Sequence, residues 1–451
     1  MRSSVPTRGA LLVMASALVI AIGAAAPQAK PEKDGKANVP TFTKDVAPIL
    51  YKNCTGCHRE GEIAPMSLLT YEDARPYAKA IVDEIGGGTM PPWHADPAVG
   101  HFRNDRRLSD ADRNTLLTWA KNGAPKGDPS DLPPAPKYVE GWTIGQPDVV
   151  LQMPVEYKVP AQGQIEYEYF EIPTNFTEDK WVQAIEVRAG NRKVVHHVIV
   201  YTRPPQPERR PTAIKYAEGM DIPDDDKSDR VRGVSLFPRP KRGGAMIGGF
   251  APGTSAMQYD PGSALLIRAG STIVLQMHYT ANGKEATDRT RVGMIFAKVP
   301  PQRELRYGTL VNGGFRIPAG DADYEVTADM TTTADITVRQ MLPHTHLRGK
   351  SWEYTATYPD GRTEKILSVP KYDFNWQTDY VFAEPLKLQK GTRIHAVAHY
   401  DNSPANKSNP NSKIDVTWGD QTWEEMMFTS FVYSIDGVAP GAVIPSQPGK
   451  N

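Results

Sequence analysis

The sequence predicts a multidomain chain: a small all-α domain followed by two all-β, antiparallel, jelly-roll-like sandwich domains. At 451 residues it exceeds what one hydrophobic core supports. Helical spacing of apolar residues is found within positions 39–127. From Trp142 onward the texture changes to short alternating runs of Val, Ile, Thr and Tyr, punctuated by turn residues in a chain with 40 prolines and 37 glycines. Lysine plus arginine and aspartate plus glutamate each total 52, for a formal charge of zero. A nucleic-acid partner calls for a basic surface, so this balance argues against one.

The N-terminus opens MRSSVPTRG, with Arg2 and Arg8, and runs into an apolar stretch that ends in alanines. A basic start, apolar middle and small-residue end predict a secretory signal over 1–26, cut near Ala25 or Ala26, and so a periplasmic protein. The apolar run from Gly9 to Ala26 is 18 residues, close to the shortest span of a bilayer, which leaves an uncleaved membrane anchor as the other reading. Within 39–127, Val46, Ile49 and Leu50 share one helix face, with Asp45 expected as N-cap and Pro48 in the first turn. That helix delivers NCTGCH, residues 53–58, at its end. Two more helical patterns follow, YEDARPYAKAIVDEIGGG and LSDADRNTLLTWAKNGAP; the second opens on a Ser/Asp signal and closes at Asn122 and Gly123. Residues 128–141, DPSDLPPAPKYVEG, are a Pro-rich linker expected to favour extended spacing over packing. The strand-rich remainder divides near Pro300 and Pro301 into sandwiches over 142–300 and 301–440, with a flexible tail over 441–451.

Cys54 and Cys57 are the only cysteines. A CxxC pair can be a redox dithiol, half of a zinc site or a haem attachment point, and His58 directly after it favours haem. The thiols then become thioethers to the vinyl groups and His58 supplies an axial nitrogen. A sixth ligand is expected from methionine. Met66 lies only eight residues past His58 and is poorly placed for the opposite face; Met90, 32 residues on in GGGTMPPWH, has the length to wrap around the ring. His94 and His101 are alternatives that fit surface positions better. The MPPW loop resembles the methionine loop of small class I cytochromes c, which implies haem c in 39–127, attached outside the cytoplasmic membrane.

Seven of the ten histidines fall in the β region. His344 and His346 form HTH after Pro343, and residues i and i+2 of a strand share a face, so both can reach one ion. His196 and His197 are adjacent in VVHHVIVY and converge only if a bulge or strand end turns one of them. His278 sits in LQMHY, and a thioether is available from Met426 or Met427 in WEEMMF. Each feature alone also fits half-exposed strand residues. Imidazoles with a thioether suit copper better than zinc, and a zinc hydrolase would lack an obvious general base beside HTH. His395 and His399, four apart in RIHAVAHYD, read as core or rim residues, with a further metal pair or support for the metal ligands as alternatives.

The order HH, HY, HTHLRGK, EM over about 142–440 is similar to the ligand order of the type II, ascorbate-dependent copper monooxygenases, the family of the peptidylglycine α-hydroxylating and dopamine β-monooxygenases. The resemblance implies two copper ions. His196, His197 and His278 would hold the electron-donating ion; His344, His346 and Met426 would hold the oxygen-activating, catalytic one. Met426 is preferred because it directly follows an acidic residue, Glu425, as the family's ligand does. Leu342 stands where the peptide-amidating members carry a carboxylate-binding arginine, and Phe428 and Ser430 stand in the region of their Asn and Tyr, so peptide amidation is not expected. The implied activity is hydroxylation of a C–H bond of a small organic substrate by dioxygen. The haem would be a built-in electron input served by an upstream periplasmic donor. A non-enzymatic copper-binding or electron-transfer protein is the alternative.

Overall fold

The computed structural model describes residues 39–442, apart from 63, 139–140, 206–244, 252–253 and 255. The signal expected over 1–26 and all but the first two residues of the expected tail lie outside the described residues. Among the described residues no helix is long and apolar enough to cross a membrane.

The protein is mostly β, 38% strand against 12% helix. Alternation along the strands sets the layers: in Arg393–Tyr400, Ile394, Ala396, Ala398 and Tyr400 are buried and the residues between them face outward. The largest sheet runs Val149–Gln152, Arg291–Phe296, Lys180–Arg188, Ser263–Ile267, Arg303–Val311, Phe428–Ile435, Ile336–His344, Tyr380–Leu388, with Met257–Gln258 added beside Lys180–Arg188. A four-stranded sheet ordered Glu168–Pro173, Thr272–Tyr279, Val195–Arg203, Ala245–Phe250 closes one sandwich. A second, ordered Tyr324–Thr331, Arg393–Tyr400, Gly349–Thr357, Thr363–Val369, closes the other.

Two cores result. Phe170, Val198 and Leu275 meet Val182, Ile185 and Val292 in the first. Trp352 and Ile394 meet Val338, Met341 and Phe431 in the second. The strands Arg303–Val311 and Phe428–Ile435 serve both, sending Leu305, Tyr307 and Val432 into the first and Leu310, Phe431 and Tyr433 into the second. The halves therefore share one sheet. Around Pro300 the chain changes core without changing sheet, because Arg303–Val311 pairs in parallel with Ser263–Ile267 and antiparallel with Phe428–Ile435.

Residues 42–121 carry the α-helices Ala47–Asn53, Tyr71–Ala74, Ala78–Gly87 and Asp110–Lys121. Val46, Leu50, Ile81, Ile85, Leu116 and Trp119 form their common core. Ser109 caps the last helix by accepting from the Asp112 N–H, as its sequence signal predicts. Asp45 does not cap the first: helical backbone already starts at Phe42, and the Asp45 carboxylate instead accepts from the Thr41 N–H at 2.7 Å.

Two expectations are corrected here. The segment 39–127 is not a self-contained helical unit, because residues 93–104 leave it for the second sandwich. Phe102 bridges Phe382, and backbone bonds join Arg103 N to Val381 O and Ala383 N to His101 O, both at 2.8 Å. Trp93 is buried in the second core, 5.1 Å from the Tyr380 ring and 5.9 Å from Phe102. The cause is the edge strand Tyr380–Leu388, which offers unpaired backbone and an aromatic face that the small helical core lacks. The Pro-rich segment, expected to space rather than pack, folds back on the CxxCH turn. The Tyr138 hydroxyl bonds to Thr55, and the Arg59 guanidinium lies 4.1 Å from the Tyr138 ring centroid.

Trp93→Ala removes the largest of these anchors. It is expected to destabilise the chain by about 3–5 kcal/mol, read as a lower urea midpoint, with Trp93→Phe retaining most of the stability.

Candidate functional site

Val195–Arg203 pairs antiparallel with Thr272–Tyr279, placing His197 opposite His278, and the register slips between Val195 and His197. The slip leaves His196 outside the regular ladder, so two adjacent histidines turn toward one point. His196 Nδ1 lies 3.2 Å from His197 Nδ1, which lies 3.4 Å from His278 Nδ1. Two nitrogens bound at ordinary length to one tetrahedral ion are about 3.3 Å apart. All three ligand atoms fall within 4.8 Å of one another, and the group can hold a metal ion. Removal from water lowers His196 to about 4, His278 to about 3 and His197 well below its ordinary value. All three rings are therefore neutral at pH 7, the form that ligates.

Ile336–His344 ends on His344, which stands opposite Phe428 in the neighbouring strand. His344 Nδ1 is 3.0 Å from Gln377 Oε1, and His346 Nδ1 is 3.2 Å from the Glu424 carbonyl. Each oxygen accepts from Nδ1–H, which leaves the Nε2 lone pair for another partner. His346 Nε2 is buried without a hydrogen bond. Burial again lowers both groups, His344 to about 4.

Glu425 ties this segment to the EM segment. Its carboxylate accepts from the N–H groups of Arg348 at 2.7 Å, His346 at 2.8 Å and Met426 at 3.3 Å. Burial pushes Glu425 up to about 8 against the pull of those donors. The fully buried Arg348 donates to Asn402 Oδ1 at 2.8 Å and to the Trp423 carbonyl at 3.0 Å, locking the loop beyond. Met427 is packed in the second core, whereas Met426 lines a cavity of about 240 Å³ with His197, His344, Leu342, Phe428 and Ser430. Tyr167 shares that cavity, its buried hydroxyl without a partner and its ring 5.5 Å from His197.

The two histidine groups, expected to hold separate ions, adjoin. The His197 and His344 ring centroids are 6.5 Å apart. Phe374 stands among all five rings, stacked on His196 at 5.2 Å and 6.0 Å from His346. Because the sandwiches share a sheet, the strand ends that carry the histidines emerge side by side. Phe374, Gln377, Glu425 and Tyr167 were not anticipated in these roles. Phe374 and Gln377 lie in DFNWQT, a loop with no local motif, and reach the site only through tertiary packing.

In the helical region the Cys57 and His58 N–H groups both donate to the Cys54 carbonyl, at 3.0 and 2.9 Å, and this turn gathers Cys54, Cys57 and His58. The thiols are not bonded to each other. Burial raises both, Cys54 to about 12, the reverse of the lowered thiol a redox dithiol needs. Burial also lowers His58, whose Nδ1 has no hydrogen-bond partner. Met66 lines the cleft beside this turn. Met90 is half-buried just beyond Ala78–Gly87, its N–H on the Glu84 carbonyl at 3.3 Å, and is not part of that lining. His94 is half-buried and His101 exposed. His395 and His399 lie on the outer face of the second sandwich, against Asp329 at 2.9 Å and Asp323 at 3.2 Å.

No protein-family model matches this chain, and no curated protein does. Among solved structures it is similar to the infectious bursal disease virus Gx strain structure at 11% identity and TM-score 0.16, covering 64% of this chain and 72% of that one. The VP2 subviral particle of infectious bursal disease virus is similar at 11% identity and TM-score 0.18, covering 69% and 78%. Scores this low carry no argument about fold or function.

The cavity wall also holds Asp379, which burial pushes up to about 7. A carboxyl raised in the folded state stabilises the fold least where it must ionise. Its contribution is therefore lost as pH rises from the unfolded value near 4 through about 7. Asp379→Asn is expected to raise the melting temperature at pH 8 and to leave it unchanged below pH 4, measured by a melting series across pH.

Proposed function

We propose that the protein is an exported haem- and copper-dependent monooxygenase that hydroxylates a C–H bond of a small organic substrate with dioxygen. The carrying observation is the adjacency of five neutral imidazoles, two of which, His197 and His344, line one largely apolar cavity with Met426. An all-imidazole set beside an imidazole set that shares its cavity with a thioether suits copper. The ordered resemblance to the type II copper monooxygenases supports the same reading. Cys54, Cys57 and His58, gathered on one turn, fit covalent haem c, with Met90 or Met66 as the methionine available to it. Bound copper would supply electron storage and oxygen activation, and haem would supply electrons from a periplasmic donor.

This chain's own residues set the conditions for that chemistry. Gln377 and the Glu424 carbonyl hold the His344 and His346 rings in the tautomer that offers Nε2. Glu425 keeps the HTH and Met426 segments in register. Leu342 and Phe428 give the cavity an apolar wall, and a volume of about 240 Å³ suits a small molecule. A largely apolar cavity beside Met426, with room for a small molecule, favours an oxygenase over a protein that only stores copper or passes electrons.

The purified protein is expected to contain two coppers and one haem per chain, and the reduced form to consume oxygen when offered the right compound from a panel of small C–H and thioether substrates. His344→Ala is expected to abolish that uptake and to lose one copper by elemental analysis. Zinc in place of copper, or uptake unchanged in the variant, would overturn the proposal. Gln377→Leu is expected to weaken copper at the His344 site by about 10–100-fold, measured by chelator competition.

A further inference from the structure

The helical layer reaches the histidine cluster through its arm, residues 93–104. His101 and Arg103 pair by backbone with Ala383 and Val381 of the edge strand, and beyond Arg103 the side chain of Asn104 continues that pairing. Its Nδ2 donates to the Asp379 carbonyl at 2.6 Å, and its Oδ1 accepts from the Val381 N–H at 3.0 Å. One planar amide thus holds main-chain groups on both sides of Tyr380, whose ring packs 5.1 Å from Trp93 of the same arm. Asp379 precedes the strand Tyr380–Leu388, so its carbonyl lies outside the ladder with Ile336–His344 and takes its bond from Asn104 instead.

Asp379 closes the loop 373–379, which carries two residues that shape the histidine cluster without being ligands. Gln377 Oε1 lies 3.0 Å from His344 Nδ1, and Phe374 stacks on His196. Gln377 Nε2 donates to the Phe374 carbonyl at 3.3 Å, and the Trp376 N–H donates to the Asp373 carbonyl at 2.9 Å, so the loop is braced internally. Only Thr378 separates Gln377 from the carbonyl that Asn104 holds. At the other end of the loop, Asp373 lies within electrostatic reach of His94, again on the arm. The arm therefore meets the loop at both ends. His344 offers Nε2 to an ion only while Gln377 occupies Nδ1, so the position of this loop bears directly on the donor set.

We infer that Asn104 is a positioning residue for the His344 copper site, and that docking of the arm and copper binding at His344 stabilise each other. The inference deepens the copper reading above and rests on it. Coupling between two sites is reciprocal: by whatever factor the docked arm tightens copper, bound copper favours the docked arm. The helical layer then completes a site in the second sandwich besides carrying the CxxCH turn.

The test uses the full-length protein. Copper is first counted in the wild type and in His344→Ala; equal counts would defeat the underlying reading, and the inference with it. With the His344 copper present, its affinity is measured by chelator competition in Asn104→Ala, Gln377→Leu and the double variant. Asn104→Ala is expected to weaken that copper roughly threefold to tenfold and to leave the copper at His196, His197 and His278 unchanged. In the Gln377→Leu background the same substitution is expected to change affinity less than about twofold, because its effect passes through Gln377. Asn104→Asp keeps the side chain's shape but sets an oxygen against the Asp379 carbonyl; it carries the same expectations and replaces the alanine variant if that one does not fold. Hydrogen exchange in the peptide containing Arg103 and Asn104 is expected to slow on copper loading in the wild type and not in His344→Ala. Unchanged affinity in the Asn104 variants, or an equal loss with and without Gln377, overturns the positioning role. Exchange that does not respond to copper overturns the coupling.

Discussion

Arg303–Val311 is the strand on which the molecule's organisation depends. It pairs in parallel with Ser263–Ile267 and antiparallel with Phe428–Ile435, so one ladder of backbone hydrogen bonds runs through both sandwiches. Without it each half would still have a core of its own, but no common ladder would set their strand ends side by side. With it, histidines 147 positions apart in the chain, His197 and His344, face each other at 6.5 Å. The shared sheet therefore does more than add stability: it sets the distance between two donor groups.

Within that frame the site is held by buried polar groups that have few substitutes. Three backbone N–H groups share the Glu425 carboxyl, and such hydrogen bonds each contribute about 0.5–1.5 kcal/mol net. Losing the carboxyl would strand those donors where the protein buries them. The same burial keeps the five imidazoles neutral, because an imidazolium among them would be a charge taken out of water beside other imidazoles. Burial thus makes the ligand form and also disfavours the proton that would compete with a cation.

The helical layer is joined to the sandwiches at separated points. Trp93 and Phe102 dock on the Tyr380–Leu388 edge of the second sandwich. Glu62 reaches Arg192 beside the first. Tyr138 returns the Pro-rich segment to the CxxCH turn. A thiol-bearing turn anchored in this way has a set position relative to His196, which a flexible tether would not provide.

Much of this was legible along the chain. Alternation predicted the strands, Ser109 the start of the last helix, and the HTH spacing the shared face of His344 and His346, because each depends on residues a few positions apart. Asp45 looks like a cap along the chain, but Phe42–Val46 is already wound by packing of Phe42 and Val46 into the helical core. The domain edges at 127 and 300 were drawn from composition, which does not reveal that Phe102 completes a distant sheet edge or that one sheet serves two cores. By itself the sequence determined which side chains carry donor atoms and in what order they come. Tertiary structure decided that the two imidazole groups adjoin, that Phe374, Gln377 and Glu425 organise them, and that Asn104 holds the end of the loop carrying Phe374 and Gln377. Those are through-space facts, created when a shared sheet brings together strand ends and loops that have no local reason to meet.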